Sequence, residues 1–171
     1  MFLISCGGEE QKSAAHHETL EQAVSLEGRL IESIDENGFQ DLVAQRNGKI
    51  LFLNFWATWC QPCVEEFPDI VKLANEMSDK KVEFVAVSLD FPDEVESKIL
   101  PFLQDKKVPF KVFVADLRDQ DAFITIVNPS WAGALPATAI YDLNGQQQSF
   151  VVGQQSFAQF KRELQKLFVA S

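Results

Sequence analysis

The sequence predicts an α/β fold, with a central mixed β-sheet covered on both faces by helices. Three features carry this expectation. Ile50-Leu51-Phe52-Leu53-Asn54-Phe55-Trp56 is a nearly unbroken apolar run, and a strand apolar on both faces belongs in the middle of a sheet flanked by helices. An amphipathic helical stretch and a second apolar strand follow it, which together make a βαβ unit. Further on, two short strands flank Asn144-Gly145, a strong hairpin signal.

The 171 residues suit one well-packed domain and are too few for two comfortable ones. A hydrophobic content of 46% promises a real core, and 15 phenylalanines suggest that aromatic side chains fill much of it. The 25 acidic residues outnumber the 15 basic ones, for a net charge of −10. Such a field repels nucleic acid and favours solubility, but leaves the fold open. No run of about 20 apolar residues is present, so no membrane-spanning helix is expected.

In chain order, residues 26–171 carry the globular pattern. Leu30, Ile31 and Ile34 fit a short first strand. Phe39, Leu42 and Val43 recur at helical spacing, and Asn47-Gly48 supplies a stop. After the apolar strand, Phe67, Ile70, Val71, Ala74 and Met77 mark one face of a helix in which Pro68 predicts a kink. Val82 to Val87 reads as a second buried strand, parallel to the first with a right-handed crossover. Val95, Ile99, Phe102 and Leu103 indicate another helix, Val112-Phe113-Val114 a short strand, and Phe123, Ile126 and Val127 a further short helix. Thr138 to Tyr141 and Gln148 to Val152 form the hairpin. Phe157, Phe160, Leu164, Leu167 and Phe168 close the chain as an amphipathic helix.

Residues 1–25 read differently. Met1-Phe2-Leu3-Ile4-Ser5-Cys6 followed by Gly7-Gly8-Glu9-Glu10 resembles a bacterial lipoprotein cleavage box, in which Cys6 becomes the lipidated residue. The basic start and the apolar stretch of about 7–15 residues that a secretory signal needs are missing, so the segment reads as a truncated signal. The competing reading is a short apolar tail with a stray thiol. With 3 cysteines, one close pair leaves one over, and a lipid anchor accounts for it. The polar stretch to about residue 25 reads as a tether, and His16 and His17 within it as solvated rather than metal-binding.

The chemistry concentrates at Trp59-Cys60-Gln61-Pro62-Cys63. Cys60 follows the apolar strand, and Cys63 comes three residues later, at the start of the helix. A helix N-terminus presents unsatisfied N–H groups and the positive end of the macrodipole, and both stabilise a thiolate. Cys60 is therefore the expected nucleophile, with a depressed pKa. Pro62 suits the first helical turn, where it gives up only an orphan donor. Cys63, one turn away, can attack a mixed disulfide formed at Cys60. A structural zinc site would need further ligands at suitable spacing, which are missing. A purely structural disulfide would close almost no loop. Redox use in a βαβ context is the strongest reading.

Phe55-Trp56-Ala57-Thr58-Trp59-Cys60-Gln61-Pro62-Cys63, with Glu65-Glu66-Phe67-Pro68 behind it, resembles the bacterial TlpA/ResA-like branch of the thioredoxin superfamily. Gly133-Ala134-Leu135-Pro136-Ala137-Thr138 matches that family's second landmark, a cis-proline loop before a strand. The likeness spans roughly Leu30 to Phe168. It implies a thioredoxin fold with an insertion, here Asp90 to Trp131, that could shape a client groove or serve as scaffold. It also implies protein disulfide exchange on the periplasmic side of the cell envelope, with several members keeping client cysteines reduced during cytochrome c maturation.

Carried onto this sequence, the resemblance makes Cys60 the attacking thiol and Cys63 the resolving thiol. Pro136 becomes the cis-proline beside the sulfurs, and Leu135 offers backbone hydrogen bonds to an extended client. Glu66, one turn beyond Cys63, becomes a proton acceptor or relay, against the plainer reading of an exposed helical acid like Glu65. Asn54 stands where ordinary thioredoxins bury an acid, and asparagine cannot titrate. Trp59, Gln61 and Pro62 would meet the client at the rim, while Trp56 reads as core. Trp131 either frames the site or packs its loop. The expected partners are client proteins and a membrane-side electron donor, with no nucleic acid, and the chain is expected as a monomer. No soluble cofactor is implied, because the cysteines carry the electrons.

A competing class is the thiol peroxidase, which shares the fold. Those enzymes place a Thr three residues before the reactive Cys in a Pro-x-x-x-Thr-x-x-Cys setting, whereas Thr58 lies two before Cys60. A third possibility is a binding module that kept the fold without the chemistry, and the two intact landmarks argue against it.

Overall fold

The computed structural model describes residues 24–26, 29–45 and 48–169. The lipoprotein-like segment with Cys6, and the stretch holding His16 and His17, lie outside the described residues, as does Asn47.

In chain order the elements are β1 (Val24–Leu26), β2 (Arg29–Ile34), α1 (Glu36–Ala44), β3 (Ile50–Trp56), α2 (Gln61–Glu76) and β4 (Val82–Ser88). There follow α3 (Leu100–Lys106), β5 (Lys111–Ala115), α4 (Gln120–Val127), β6 (Ala137–Tyr141), β7 (Gln147–Val152) and α5 (Phe157–Val169). The strands form one mixed sheet in the order β1-β2-β5-β4-β3-β6-β7. Strands β2, β5, β4 and β3 run parallel to one another. Strand β6 is antiparallel to β3, β7 to β6, and β1 to β2.

Strand β3 is buried along its whole length. It sits between β4 and β6, and successive side chains feed opposite layers. Leu51, Leu53 and Phe55 meet Phe39 of α1 and Phe123 and Val127 of α4. Phe52 packs edge-on against Phe160 of α5 at 5.2 Å, and Trp56 lies 4.6 Å from the ring of Phe67 in α2. The two faces are thus covered by α1 and α4 on one side and by α2, α3 and α5 on the other.

Local chemistry fixes the helix starts. Asp35 caps α1 by accepting the Gly38 N–H at 2.7 Å, and Asp119 caps α4 by accepting the Ala122 N–H at 3.0 Å. Helix α2 has no side-chain cap: Cys60 occupies the N-cap position and Pro62 the first turn. Pro68 lies inside α2, as its position in the sequence implies.

The helix expected from Val95 does not begin as an α-helix. It opens with a 3₁₀ turn at Pro92–Glu94 and a π turn at Val95–Ile99 before α3 takes over. Pro101 has no N–H to offer the preceding turn, so a regular α ladder cannot run through it. The Asp90 to Trp131 segment is built into the sheet, because its strand β5 lies between β2 and β4. The hairpin loop is also longer than a two-residue turn. Asp142 organises it by accepting the N–H groups of Asn144 and Gln146 at 2.8 and 3.0 Å.

Phe67 is fully buried and touches the rings of Trp56, Phe102 and Phe110. Phe67→Ala is expected to lower unfolding free energy by about 3–5 kcal/mol in denaturant titrations. Phe168→Ala, at a side chain 38% exposed, should change it by less than about 1 kcal/mol.

Candidate active site

The chain leaves the sheet at Trp56, turns through Ala57, Thr58 and Trp59, and enters α2 at Cys60. The Cys60 N–H donates to the Ala57 carbonyl at 3.2 Å, and the Cys60 carbonyl accepts the Val64 N–H at 3.1 Å. Cys60 and Cys63 form a disulfide, with their Cα atoms 5.3 Å apart. Cys60 is 6% exposed and Cys63 not at all, so solvent reaches the pair only through Cys60. With no side chain capping α2, its first N–H groups stay free to stabilise charge at the sulfur beside them.

The rim divides as its residue types imply. Trp59 is 65% exposed, while Trp56 is fully buried in the core. Gln61 is exposed and donates from Nε2 to Glu65 Oε1 at 2.9 Å. Pro62 is half-buried.

The second landmark comes to the same place through the sheet. The Leu135–Pro136 peptide bond is cis. The next residue, Ala137, pairs with Phe55, which sets the loop alongside the end of β3. Leu135 packs against the apolar cluster that contains both cysteines. The buried Pro136 fastens the loop by accepting the Gly153 N–H at 2.8 Å. Trp131 packs the loop from within: it is buried, its ring lies 5.0 Å from Phe55, and its Nε1–H donates to the Ala134 carbonyl at 2.9 Å. Gly133 has φ +79°, and a Cβ there would stand 2.8 Å from Ile124 Cδ1, so only glycine fits this turn.

Beneath the disulfide lies a buried polar group. Glu66, only 2% exposed, sits one turn along α2 from Cys63, unlike its exposed neighbour Glu65. Its Oε1 accepts the Asn54 amide at 3.0 Å, and its Oε2 accepts the Gln155 N–H at 2.8 Å. Asn54 Nδ2 also donates to Thr138 Oγ1 at 3.1 Å, and Asn54 Oδ1 has no hydrogen-bond partner. Burial pushes the Glu66 carboxyl up from an ordinary 4.5 to about 7, against the two hydrogen bonds that favour its charge. Thr138 reaches this group because it pairs directly with Asn54 across β3 and β6. Thr138 ends the cis-proline landmark but the sequence does not mark its hydroxyl as part of this group, and no motif marks Gln155. Among the described residues no cluster of His, Cys, Asp and Glu is arranged to hold a metal.

The AhpC/TSA family model matches residues 30–148. A thiol-disulfide oxidoreductase ResA from Bacillus cereus is 32% identical over 142 residues, covering 83% of this chain and 71% of that protein. The chain belongs to the AhpC/TSA family, in its ResA-like branch. A second ResA, from Geobacillus kaustophilus, is 29% identical over 133 residues, covering 78% of this chain and 71% of that one. A crystal structure of a thiol:disulfide interchange protein from Chlorobium tepidum shares the fold. Its TM-score is 0.60 at 24% identity, over 72% of this chain and 83% of that one.

In this ResA-like chain Glu66 holds its proton more tightly when folded than when unfolded. Its contribution therefore favours folding below about pH 4.5 and is lost as pH rises toward about 7. Denaturant titrations of the oxidised protein across this window should show stability falling by up to roughly 3 kcal/mol. Glu66→Gln should remove that fall. An equally steep loss in the Gln variant would assign the titration to another group.

Proposed function

We propose that this thiol–disulfide oxidoreductase acts as a reductase for protein disulfides on the periplasmic side of the bacterial cell envelope. The observation that carries the reading is a disulfide at an uncapped helix N-terminus, beside a cis-proline loop and above a buried carboxyl near neutrality. In the reduced protein the Cys60 thiolate attacks one sulfur of a client disulfide. A Cys60–client mixed disulfide forms, and the first client sulfur leaves as a thiolate and takes up a proton. Cys63 then loses its proton, attacks the Cys60 sulfur and expels the second client thiol. Two electrons have passed to the client, and the Cys60–Cys63 disulfide remains.

Glu66 is suited to receive the Cys63 proton, because a group titrating near 7 can accept and return protons at neutral pH. Leu135, beside the cluster holding both sulfurs, offers its backbone to an extended client segment, with Trp59, Gln61 and Pro62 on the facing rim. A dithiol donor on the membrane side returns the electrons. The ResA-like resemblance supports clients whose cysteines must stay reduced, including haem-binding cysteines during cytochrome c maturation. The lipoprotein-like sequence around Cys6 supports a lipid anchor, and a monomer suffices for the chemistry.

Dithiol exchange accounts for the site better than peroxide reduction does. Cys60 has its partner three residues away, and the Thr58 hydroxyl is committed to Asp90 at 2.5 Å.

Cys63→Ser should trap client proteins as mixed disulfides on Cys60, visible as adducts that dithiothreitol releases on non-reducing gels. Cys60→Ser should trap none. Peroxide consumption by the wild type that outpaces its reduction of a disulfide-containing protein would favour the peroxidase reading instead.

A further inference from the structure

Asp90 is 2% exposed and takes no part in the exchange steps above. It follows β4, whose last residue, Ser88, pairs with Trp56 at the end of β3. Its carboxylate therefore stands beside the turn that leads to Cys60. Asp90 Oδ2 accepts the Thr58 N–H at 2.9 Å and the Ser88 hydroxyl at 2.6 Å, and Oδ1 accepts the Thr58 hydroxyl at 2.5 Å. Ser88 Oγ in turn accepts the Asp90 N–H at 3.1 Å, which fixes the carboxylate's orientation.

A buried carboxylate is costly unless several donors meet it. Here all three bonds to it come from two residues, and one of those lies two positions before the exposed-side cysteine. The backbone adds one more tie, as the Leu89 N–H donates to the Trp56 carbonyl at 2.8 Å. Cys60 makes no side-chain cap on α2, and when its disulfide to Cys63 is reduced the sulfur loses its covalent tie to the helix. What then bears on its position is the turn that precedes it.

We infer that Asp90 is a positioning residue for Cys60: through Thr58 it latches the 57–60 turn to the end of β4 and holds the sulfur where the N-terminus of α2 stabilises its thiolate. This rests on the reading of Cys60 as the nucleophile. The latch forms no bond with a client and moves no proton.

The test keeps Asp90 and removes a donor. Thr58→Val preserves the side-chain shape but loses the hydroxyl, and Thr58→Ser restores it. The readout is the pH dependence of iodoacetamide alkylation of Cys60 in the fully reduced protein, with Cys63→Ser in the background so that one thiol reports. Thr58→Val should shift the profile to higher pH and slow alkylation at neutral pH roughly five-fold, about the effect of one hydrogen bond. Thr58→Ser should follow the wild type. Ser88→Ala, which removes a different donor, should shift in the same direction and stands in if Thr58→Val fails to fold.

A wild-type profile in folded Thr58→Val or Ser88→Ala overturns the latch and leaves the nucleophile reading intact. If Cys60 of the wild type instead alkylates like an ordinary exposed thiol, both fall together.

Discussion

Strand β3 fixes the frame in which the redox centre is built. It is buried on both faces between β4 and β6, and its register places residues of two later segments, β4 and β6, against its last three residues. Asn54 meets Thr138, Phe55 meets Ala137 just after the cis bond, and Trp56 meets Ser88 just before Asp90. A strand apolar on both faces cannot slip by one residue without exchanging its two core layers. The packing that stabilises the fold therefore also aligns the disulfide, the cis-proline loop and the buried acid.

Electrostatics then divides the centre into two zones. Above, the uncapped start of α2 offers unsatisfied N–H groups to the sulfur of Cys60. Below, Glu66 is buried among Asn54, Thr138 and the backbone of Gln155. Two hydrogen bonds favour its charge, yet desolvation is the larger effect and its pKa rises. A neutral asparagine at 54 matters here, because an aspartate would set a second acid against the first in a space with little water. The upper zone favours an anion, and the lower one holds a carboxyl whose burial brings it to about neutrality.

Much of this was legible in the sequence, for physical reasons that differ by element. β3 and α2 could be read because period and apolarity leave a buried strand and an amphipathic helix few alternatives, and Cys60, Cys63 and Pro136 because their motifs are specific. The π turn at Val95–Ile99 was not legible, since the spacing of Val95, Ile99 and Phe102 is compatible with an α-helix. The position of β5 inside the sheet was hidden as well, because strand order is a long-range property that no local pattern carries. Trp131 was ambiguous until its Nε1–H was seen tied to Ala134. The polar contacts of Thr138, Gln155 and Asp90 could not be read from the sequence, because each joins segments distant along the chain. Whether Glu66 is a buried acid or an exposed one like Glu65 could be posed from the sequence, but its burial needed the helix's orientation to be decided.

The central claim is that Cys60 and Cys63 form a reversible couple poised to reduce other proteins. The most direct test is the equilibrium reduction potential of that couple in a defined thiol buffer. The account predicts a value near that of thioredoxin, about −270 mV, or lower. A value near about −120 mV would make the protein a disulfide donor and contradict the proposed direction of electron flow. Failure of the two cysteines to form any reversible couple would contradict the exchange chemistry itself.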